Sequence, residues 1–361
     1  MSKKKCLMVG AGGFAGVWVR HFLPVFRDRL SVVGLVDVNR QLLDQAADFL
    51  ELAPTQRFAD LSEAFARTDA DFCILAIPPV YNKQAVSMAV ERGMPVLCEK
   101  PIADSWQACL DIFRMVKQAD LKMAIVQNYR FTSPILTLKR AVQQGDLGSI
   151  IYITSRFAVD HLQNVGGRFR YDIPDIMLYE ASVHHFDQLR NLSGADCAWI
   201  TGKAWNPPGS GFDTDCCGLF IMEMTNGVKC QYETSYIAAD IQNDWHREYY
   251  RVACEKGSVI VDRDSTVRVV EHLSHGRTKV TEVEQVSTAY EGHHAMIDQF
   301  LTWLDDGPAP QTEIADNIRT DAICFAAAEA SREGRVIDVS LKLQSAGLLE
   351  IGLPAGNVLQ A

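Results

Sequence analysis

Apolar residues in this chain follow one rhythm up to about residue 131 and another after about residue 148. In the first part they come as short unbroken runs: CLMV (6–9), SVVGLVD (31–37), DFCILAIPP (71–79), PVLCEKP (95–101) and LKMAIVQNYRF (121–131). Such a run suits a central parallel strand, buried on both faces. Between the runs lie stretches with apolar residues on one side of a helical period: VWVRHFLPVF, YNKQAVSMAVERG (81–93) closing on Gly93, and SWQACLDIFRMVKQAD (105–120). Strands alternating with helices of this length predict right-handed crossovers and a doubly wound parallel sheet.

The second rhythm is period two. GSIIYITSRFAVD (148–160) reads as a strand, NVGGRFRYDIPD (164–175) as a loop, and LYEASVHHFDQLRNLSG as a helix ending at Gly194. WITGKAW, GLFIMEMTN, VKCQYETSY, EYYRVACEKGSVIVD and TVRVVEH then alternate apolar and polar positions, with Asn226-Gly227 and Lys256-Gly257 as hairpin turns. Helices at 293–307 and about 312–333 close the chain, and the tail after about 338 packs back on the body. The expected architecture is an α/β N-terminal Rossmann domain (1–127) with a doubly wound parallel sheet. An α+β C-terminal domain (128–361) follows, with a large, mostly antiparallel, open-faced sheet and its last helices at about 293–333.

Composition narrows the class. The 361 residues suit two domains. With 45 acidic against 35 basic residues, a net charge of −10, and no basic run after Lys3-Lys4-Lys5, nucleic acid is not an expected partner. No stretch approaches the ~18 apolar residues of a membrane span. The ten cysteines are dilute, sit mostly in apolar runs and lack zinc-ligand spacing, which points to reduced thiols, no metal and a cytoplasmic protein.

Four glycines in seven positions follow the first strand: Gly10, Gly12, Gly13 and Gly16 in MVGAGGFAG. Strand, glycine turn and helix give G-x-G-x-x-A over Gly10, Gly12 and Ala15. In that order the first glycine makes the tight turn and the second admits a pyrophosphate to the backbone. The third position keeps helix and strand close, and the helix N-terminus offers free N–H groups to the anion. The next strand ends in Asp37, placed to accept hydrogen bonds from the adenosine ribose and to repel a 2′-phosphate. NAD is therefore expected over NADP, with Arg40 able to soften the preference. The carboxyl ends of the remaining strands, where ligands bind such sheets, carry Ile77-Pro78-Pro79, Glu99-Lys100-Pro101 and Gln127-Asn128.

In the second domain, Glu180, His184 and Asp187 fall at i, i+4 and i+7 of one helix, so that an acid can fix the tautomer of His184. His185 points about 100° away and reads as packed. Lys100, after a buried strand and before a proline, is placed to hydrogen-bond a substrate hydroxyl and hold developing alkoxide charge.

These residues resemble the Gfo/Idh/MocA family of dehydrogenases. The likeness rests on the GAGGFA turn, Asp37, AIPP (76–79), EKP (99–101), QNYRF (127–131) and the helix E-x-S-x-H-x-x-D (180–187), and it spans roughly residues 5–340. It implies hydride transfer between NAD(P) and a secondary alcohol of a sugar, sugar acid or polyol, held against the open face of the second sheet. Lys100 would contact the reacting hydroxyl, His184 would take its proton, Glu99 would lie near the nicotinamide ribose and Gln127 near the nicotinamide end of the pocket. The implied cofactor-binding set is Gly10, Gly12, Gly13, Phe14, Ala15, Asp37, Arg40, Ile77, Pro78, Asn82, Glu99, Lys100 and Gln127. The implied catalytic set is Lys100, His184 and Glu180, with Tyr129, Arg156 and Arg168 added for substrate.

Two positions depart from the family pattern: Glu180 and Ser182 stand where many members have Asp and Gly, and Asn82 stands where His is frequent. The glutamate makes inositol a poorer expectation. Arg156, Arg168 and Arg170 fit either an anionic substrate group or surface ion pairs with the excess acids. The resemblance also leaves an NAD-assisted glycosidase and a non-catalytic dinucleotide or sugar sensor as alternatives. A bare sheet face implies a homodimer or homotetramer through the C-terminal domain.

Overall fold

Cys6, Leu7, Met8 and Val9 are almost wholly buried in β1 (Lys4–Val9), which has a parallel neighbour on each side. In this computed structural model, which describes residues 3–161, 173–238 and 245–348, β1 centres a six-stranded sheet. Its other strands are β2 (Leu30–Val36), β3 (Arg57–Phe58), β4 (Phe72–Leu75), β5 (Val96–Glu99) and β6 (Met123–Val126). All pairings are parallel, in the order β3-β2-β1-β4-β5-β6. Strand order reverses beside β1, and ligands bind such sheets at the strand ends there.

The glycine turn leads into α1 (Gly13–Val17), then a π-helical turn (Trp18–Phe22) and a 3₁₀ turn (Leu23–Phe26). The sequence pattern predicts one continuous helix here. Pro24 lacks the N–H that would extend it, and Trp18, Val19 and Leu23 are buried by the looser winding. Residues 40–70, unassigned from the sequence, form α2 (Arg40–Phe49), β3 and α3 (Leu61–Arg67), with Asn39 and Asp60 as N-caps. Next come α4 (Asn82–Glu91) and α5 (Trp106–Gln118), the latter capped by Ser105.

Two compact units emerge. The first holds the described residues up to Asn128 together with Tyr290–Ile318. That second segment includes the helix Gly292–Leu304, which the boundary expected at residue 127 assigns to the other domain. Its return is cemented by backbone pairing: Ile125 N–H donates to Thr312 O at 2.9 Å, and Thr312 Oγ1 donates back to Ile125 O at 2.7 Å.

The second unit, Tyr129–Ala289 with Arg319 onward, is built on nine strands. They are β7 (Ile150–Ala158), β8 (Cys197–Trp205), β9 (Cys217–Met224), β10 (Lys229–Ser235), β11 (Tyr249–Cys254), β12 (Gly257–Val261), β13 (Val267–His272), β14 (Thr278–Glu282) and β15 (Ile337–Asp338). Their order is β14-β13-β12-β11-β7-β10-β9-β8-β15, antiparallel except where β7 meets β10. The helix α6 (Ser133–Gln143) precedes β7. A π-helical turn (Met177–Ser182) leads into α7 (Val183–Ser193), which stops at Gly194 with φ +70°. Among the described residues no helix is long and apolar enough to cross a membrane.

Candidate functional site

In the first unit the glycine turn is built for close approach. Gly10 has φ +106°, and a Cβ there would stand 2.5 Å from Ala76 O. Gly13 has φ +52° and open space where its Cβ would point. Asp37 does more than the sequence predicts: its Oδ2 accepts from Ala11 N–H (2.8 Å) and Gly12 N–H (3.2 Å), and its Oδ1 from Asn39 N–H (2.8 Å). The acid thus braces the turn from the end of β2. A tight first glycine, an uncovered third and a carboxylate beside them are the fittings a dinucleotide needs. Ala15 is buried under the turn, Phe14 is exposed, and Arg40 stands exposed as the first residue of α2. Ile77 is half-buried and Pro78 exposed after β4.

Asn82 has a structural task. It is buried, and its Nδ2 donates to Ile102 O (3.1 Å) and Pro101 O (3.4 Å), pinning the segment after Lys100 to α4. Half-buried Lys100 follows Glu99 at the end of β5, and its backbone N–H lies 3.3 Å from Glu99 Oε2. Glu99 itself is buried against two donors missed in the sequence. Trp18 Nε1 donates to its Oε1 at 2.8 Å, and His293 Nε2 stands 3.3 Å from the same oxygen. His293 is stacked on Phe22 (centroids 4.3 Å apart) and lies 5.3 Å from the ring of Phe14. Burial pushes the Glu99 carboxyl up, but His293, Lys100 and the Trp18 N–H outweigh it and hold the carboxyl below its ordinary value. Gln127, at the end of β6, is wholly buried.

In the second unit Tyr129 and Arg130 meet α7. The rings of Tyr129 and His184 stack at 4.2 Å and 3°, and His246 lies 4.3 Å from Tyr129 on a tilt. Arg130 clamps Asp187 with Nε and Nη2, both at 2.6 Å, and Thr320 Oγ1 donates to the same carboxylate at 2.9 Å. Glu180 accepts from Tyr236 OH at 3.3 Å. The shared face expected of Glu180, His184 and Asp187 is therefore divided among three partners. The π turn ending at Ser182 rotates Asp187 away from Glu180, and Asp187 serves a buried ion pair. His185 is wholly buried, with Nδ1 2.6 Å from Tyr232 OH, in line with its reading as packed.

Strand alternation separates one substrate candidate from the others. Ser155 and Phe157 face the helix side of β7, where His185 lies 4.8 Å from Phe157, so Arg156 points to the open face. There its guanidinium lies over the Tyr249 ring at 5.2 Å, with Asp262 3.8 Å away. His184, Glu180 and Tyr129 belong to the covered side, so the open face expected to take the substrate does not carry them. Arg168 and Arg170 lie outside the described residues. The donors missed in the sequence, Trp18, Arg130, Tyr236 and His293, stand far along the chain from the acids they serve. Only the opposite charges of Arg130 and Asp187 offered a signal.

Residues 4–127 match the family described as an oxidoreductase family with an NAD-binding Rossmann fold, and residues 135–260 match the GFO/IDH/MocA C-terminal domain. The chain is 35% identical to the protein y4oX of Sinorhizobium fredii, covering 94% of this chain and 97% of that protein. It is 23% identical to the D-apiose dehydrogenase of Rhizobium rhizogenes over 95% of this chain and 99% of that enzyme. Its fold resembles the crystal structure of an oxidoreductase from Agrobacterium radiobacter in complex with NAD+, L-tartaric acid and magnesium. That likeness has a TM-score of 0.82 and 19% identity, and covers 95% of this chain and all of the other.

The Glu99 cluster makes a pH prediction. A carboxyl held low in the folded protein contributes stability in full above its ordinary value of 4.5, and loses it as pH falls through the lowered folded value. Glu99→Gln should cost about 1–3 kcal/mol at neutral pH and flatten the acid limb of stability below that ordinary value. Urea midpoints across the acid range check this. A variant whose midpoint falls with acid in parallel with the parent would exclude Glu99 as a source of that limb.

Proposed function

Because the chain belongs to the Gfo/Idh/MocA family of NAD(P)-dependent oxidoreductases, we propose that it oxidises a secondary alcohol of a sugar, sugar acid or polyol with NAD. The observation that carries this reading is the buried imidazole of His184, seated flat on Tyr129 in the unit that also holds the Glu180 carboxylate. Relatives named D-apiose dehydrogenase and inositol 2-dehydrogenase support the substrate class. Bound NAD supplies the hydride acceptor. Lys100 hydrogen-bonds the reacting hydroxyl and stabilises the alkoxide charge that develops on its oxygen, while His184 takes the proton. Glu180, already accepting from Tyr236, has lone pairs left for a second substrate hydroxyl. Asp37 favours NAD, since an added 2′-phosphate would meet its carboxylate, and Arg40 is the nearby group that could offset this.

The open sheet face supports a homodimer or homotetramer as part of the same proposal. Leu219 and Ile221, 48% and 53% exposed, lie in cross-strand rows with Lys203, Glu233 and Arg156, and with Thr201, Gln231 and Thr154. Apolar and paired-charge rows on one broad face suit burial against a second copy. The ten cysteines are buried and free of disulfides, which fits a reducing compartment such as the cytoplasm.

Four outcomes are expected. NADH absorbance should rise when the protein meets NAD and pools of aldoses, sugar acids and polyols that include D-apiose, inositol and L-tartrate. Lys100→Met should cut that rate by about 10²–10³ with NAD binding retained, and silence in every pool, or a parental rate in the variant, would overturn the assignment. Asp37→Ala should raise the NADP-to-NAD ratio of kcat/KM by roughly tenfold. The ratio is the readout, because Asp37 also braces the turn and affinity for both cofactors should fall. Finally, Leu219→Lys with Ile221→Lys should yield monomers by light scattering, and an unchanged mass would move the interface elsewhere.

A further inference from the structure

The covered side of the nine-stranded sheet holds a carboxylate that the proposed chemistry leaves unused. Glu248 is 5% exposed and stands just before β11, on the face shared by Tyr250. Register aligns Tyr232, Ser155 and Tyr250 across β10, β7 and β11, all within 1% of full burial. His185 of α7 reaches into this layer: its Nδ1 is 2.6 Å from Tyr232 OH and its Nε2 is 3.6 Å from Glu248 Oε1. The backbone N–H of His246 donates to Glu248 Oε1 at 3.0 Å. The Tyr129 hydroxyl faces the same carboxylate, and burial together with that charge pushes it well above the ordinary tyrosine value. Tyr129 OH, Tyr250 OH, Ser155 Oγ, Thr234 Oγ1 and His185 Nε2 are all buried without a hydrogen bond of ordinary geometry among the described residues. They are polar groups held around one acid.

The direction of the hydrogen bonds locates a proton. Ser182 Oγ donates to Met177 O at 3.0 Å, so its oxygen accepts from Tyr232 OH at 2.9 Å. With its proton committed to Ser182, the Tyr232 oxygen must accept from His185, and Nδ1 therefore carries a hydrogen. The other nitrogen, Nε2, faces Glu248. A bare nitrogen against a bare carboxylate would be repulsive, so one further proton lies between them. The other titratable or charged groups around the pair are Tyr129, Tyr250, His246 and the Arg130–Asp187 clamp.

We infer that His185 and Glu248 form a buried proton-holding pair, and that Glu248 is a positioning residue which holds Tyr129 and, through its ring, seats His184. The inference rests on the reading of His184 as the base. A carboxylate suits the task because it accepts from His246 N–H and turns acceptor oxygen toward both His185 Nε2 and Tyr129 OH. An amide of the same size would turn donors toward donors.

Long-range ¹H–¹⁵N spectra of the full-length protein test both halves without any substrate, with His184→Asn and His185→Asn assigning the two rings. His185 should show a protonated Nδ1 at neutral pH. A ring with bare Nδ1 and protonated Nε2 overturns the pair. Glu248→Gln should shift the ring-current-displaced His184 Cε1–Hε1 signal toward its free-histidine position. Tyr129→Phe, which removes only the hydroxyl, should do the same and serves if Glu248→Gln does not fold. A His184 signal unmoved in a folded variant overturns the positioning role. Loss of activity in His184→Asn is the separate check on the base, so the two readings can fail independently.

Discussion

A carboxylate at the end of a buried strand has to be neutralised, and much of the first unit is arranged around doing so for Glu99. Water is excluded there, so the charge persists only because the Trp18 indole, the His293 imidazole and the Lys100 backbone supply donors. Each donor constrains something else. Trp18 is delivered by a π-helical turn directly after the glycine turn, and His293 arrives on a helix from nearly two hundred residues later. Lys100 is adjacent in sequence, so the network that satisfies Glu99 also fixes the strand end from which Lys100 projects. Asn82 holds the far side of that segment.

The second unit solves the same problem twice. Arg130 and Asp187 form a two-pronged buried pair that ties the QNYRF segment to α7, and Thr320, Arg190, Asp196 and Arg319 extend it. Removing one member would leave an uncompensated buried charge, which is why such pairs specify position more than they add stability. The pair orients the helix so that His184 lies on Tyr129 while His185 turns into the sheet. Consecutive histidines thus serve different layers, one stacked on Tyr129 and one among the buried tyrosines.

The parallel core was legible because its main strands are short, largely apolar runs, and those of β1, β4 and β5 stop at Gly or Pro. The glycine turn and Asp37 were legible because their spacing is local. β3, with two residues, is too short to show a period, whereas α2 and α6 are amphipathic and α3 is a short capped helix, and all three stay unassigned between the stronger apolar runs. The phase of Asp187 relative to Glu180 could not be read, because an α-helical count assumes 3.6 residues per turn and the segment at Met177–Ser182 is π-helical. The face that Arg156 takes, opposite His185, depends on strand register, which a single strand's sequence leaves open. His293 and Glu248 carry no local mark at all. Their importance is a property of what they meet, not of the residues around them.

The return of Tyr290–Ile318 to the first unit has a consequence in time. During synthesis the strands β1 to β6 leave the ribosome early, yet the partner of Ile125, Thr312, and the partner of Glu99, His293, follow only after the whole stretch 129–289 has been made. At ~5–20 residues per second that interval is on the order of 10 s. Through it the nascent sheet lacks the Thr312 pairing along β6 and the His293 ring beside Glu99. The domain begun first is therefore the one finished late, and a chain cut anywhere before residue 318 would lose part of its cofactor-binding half even where most strands of the second sheet are kept.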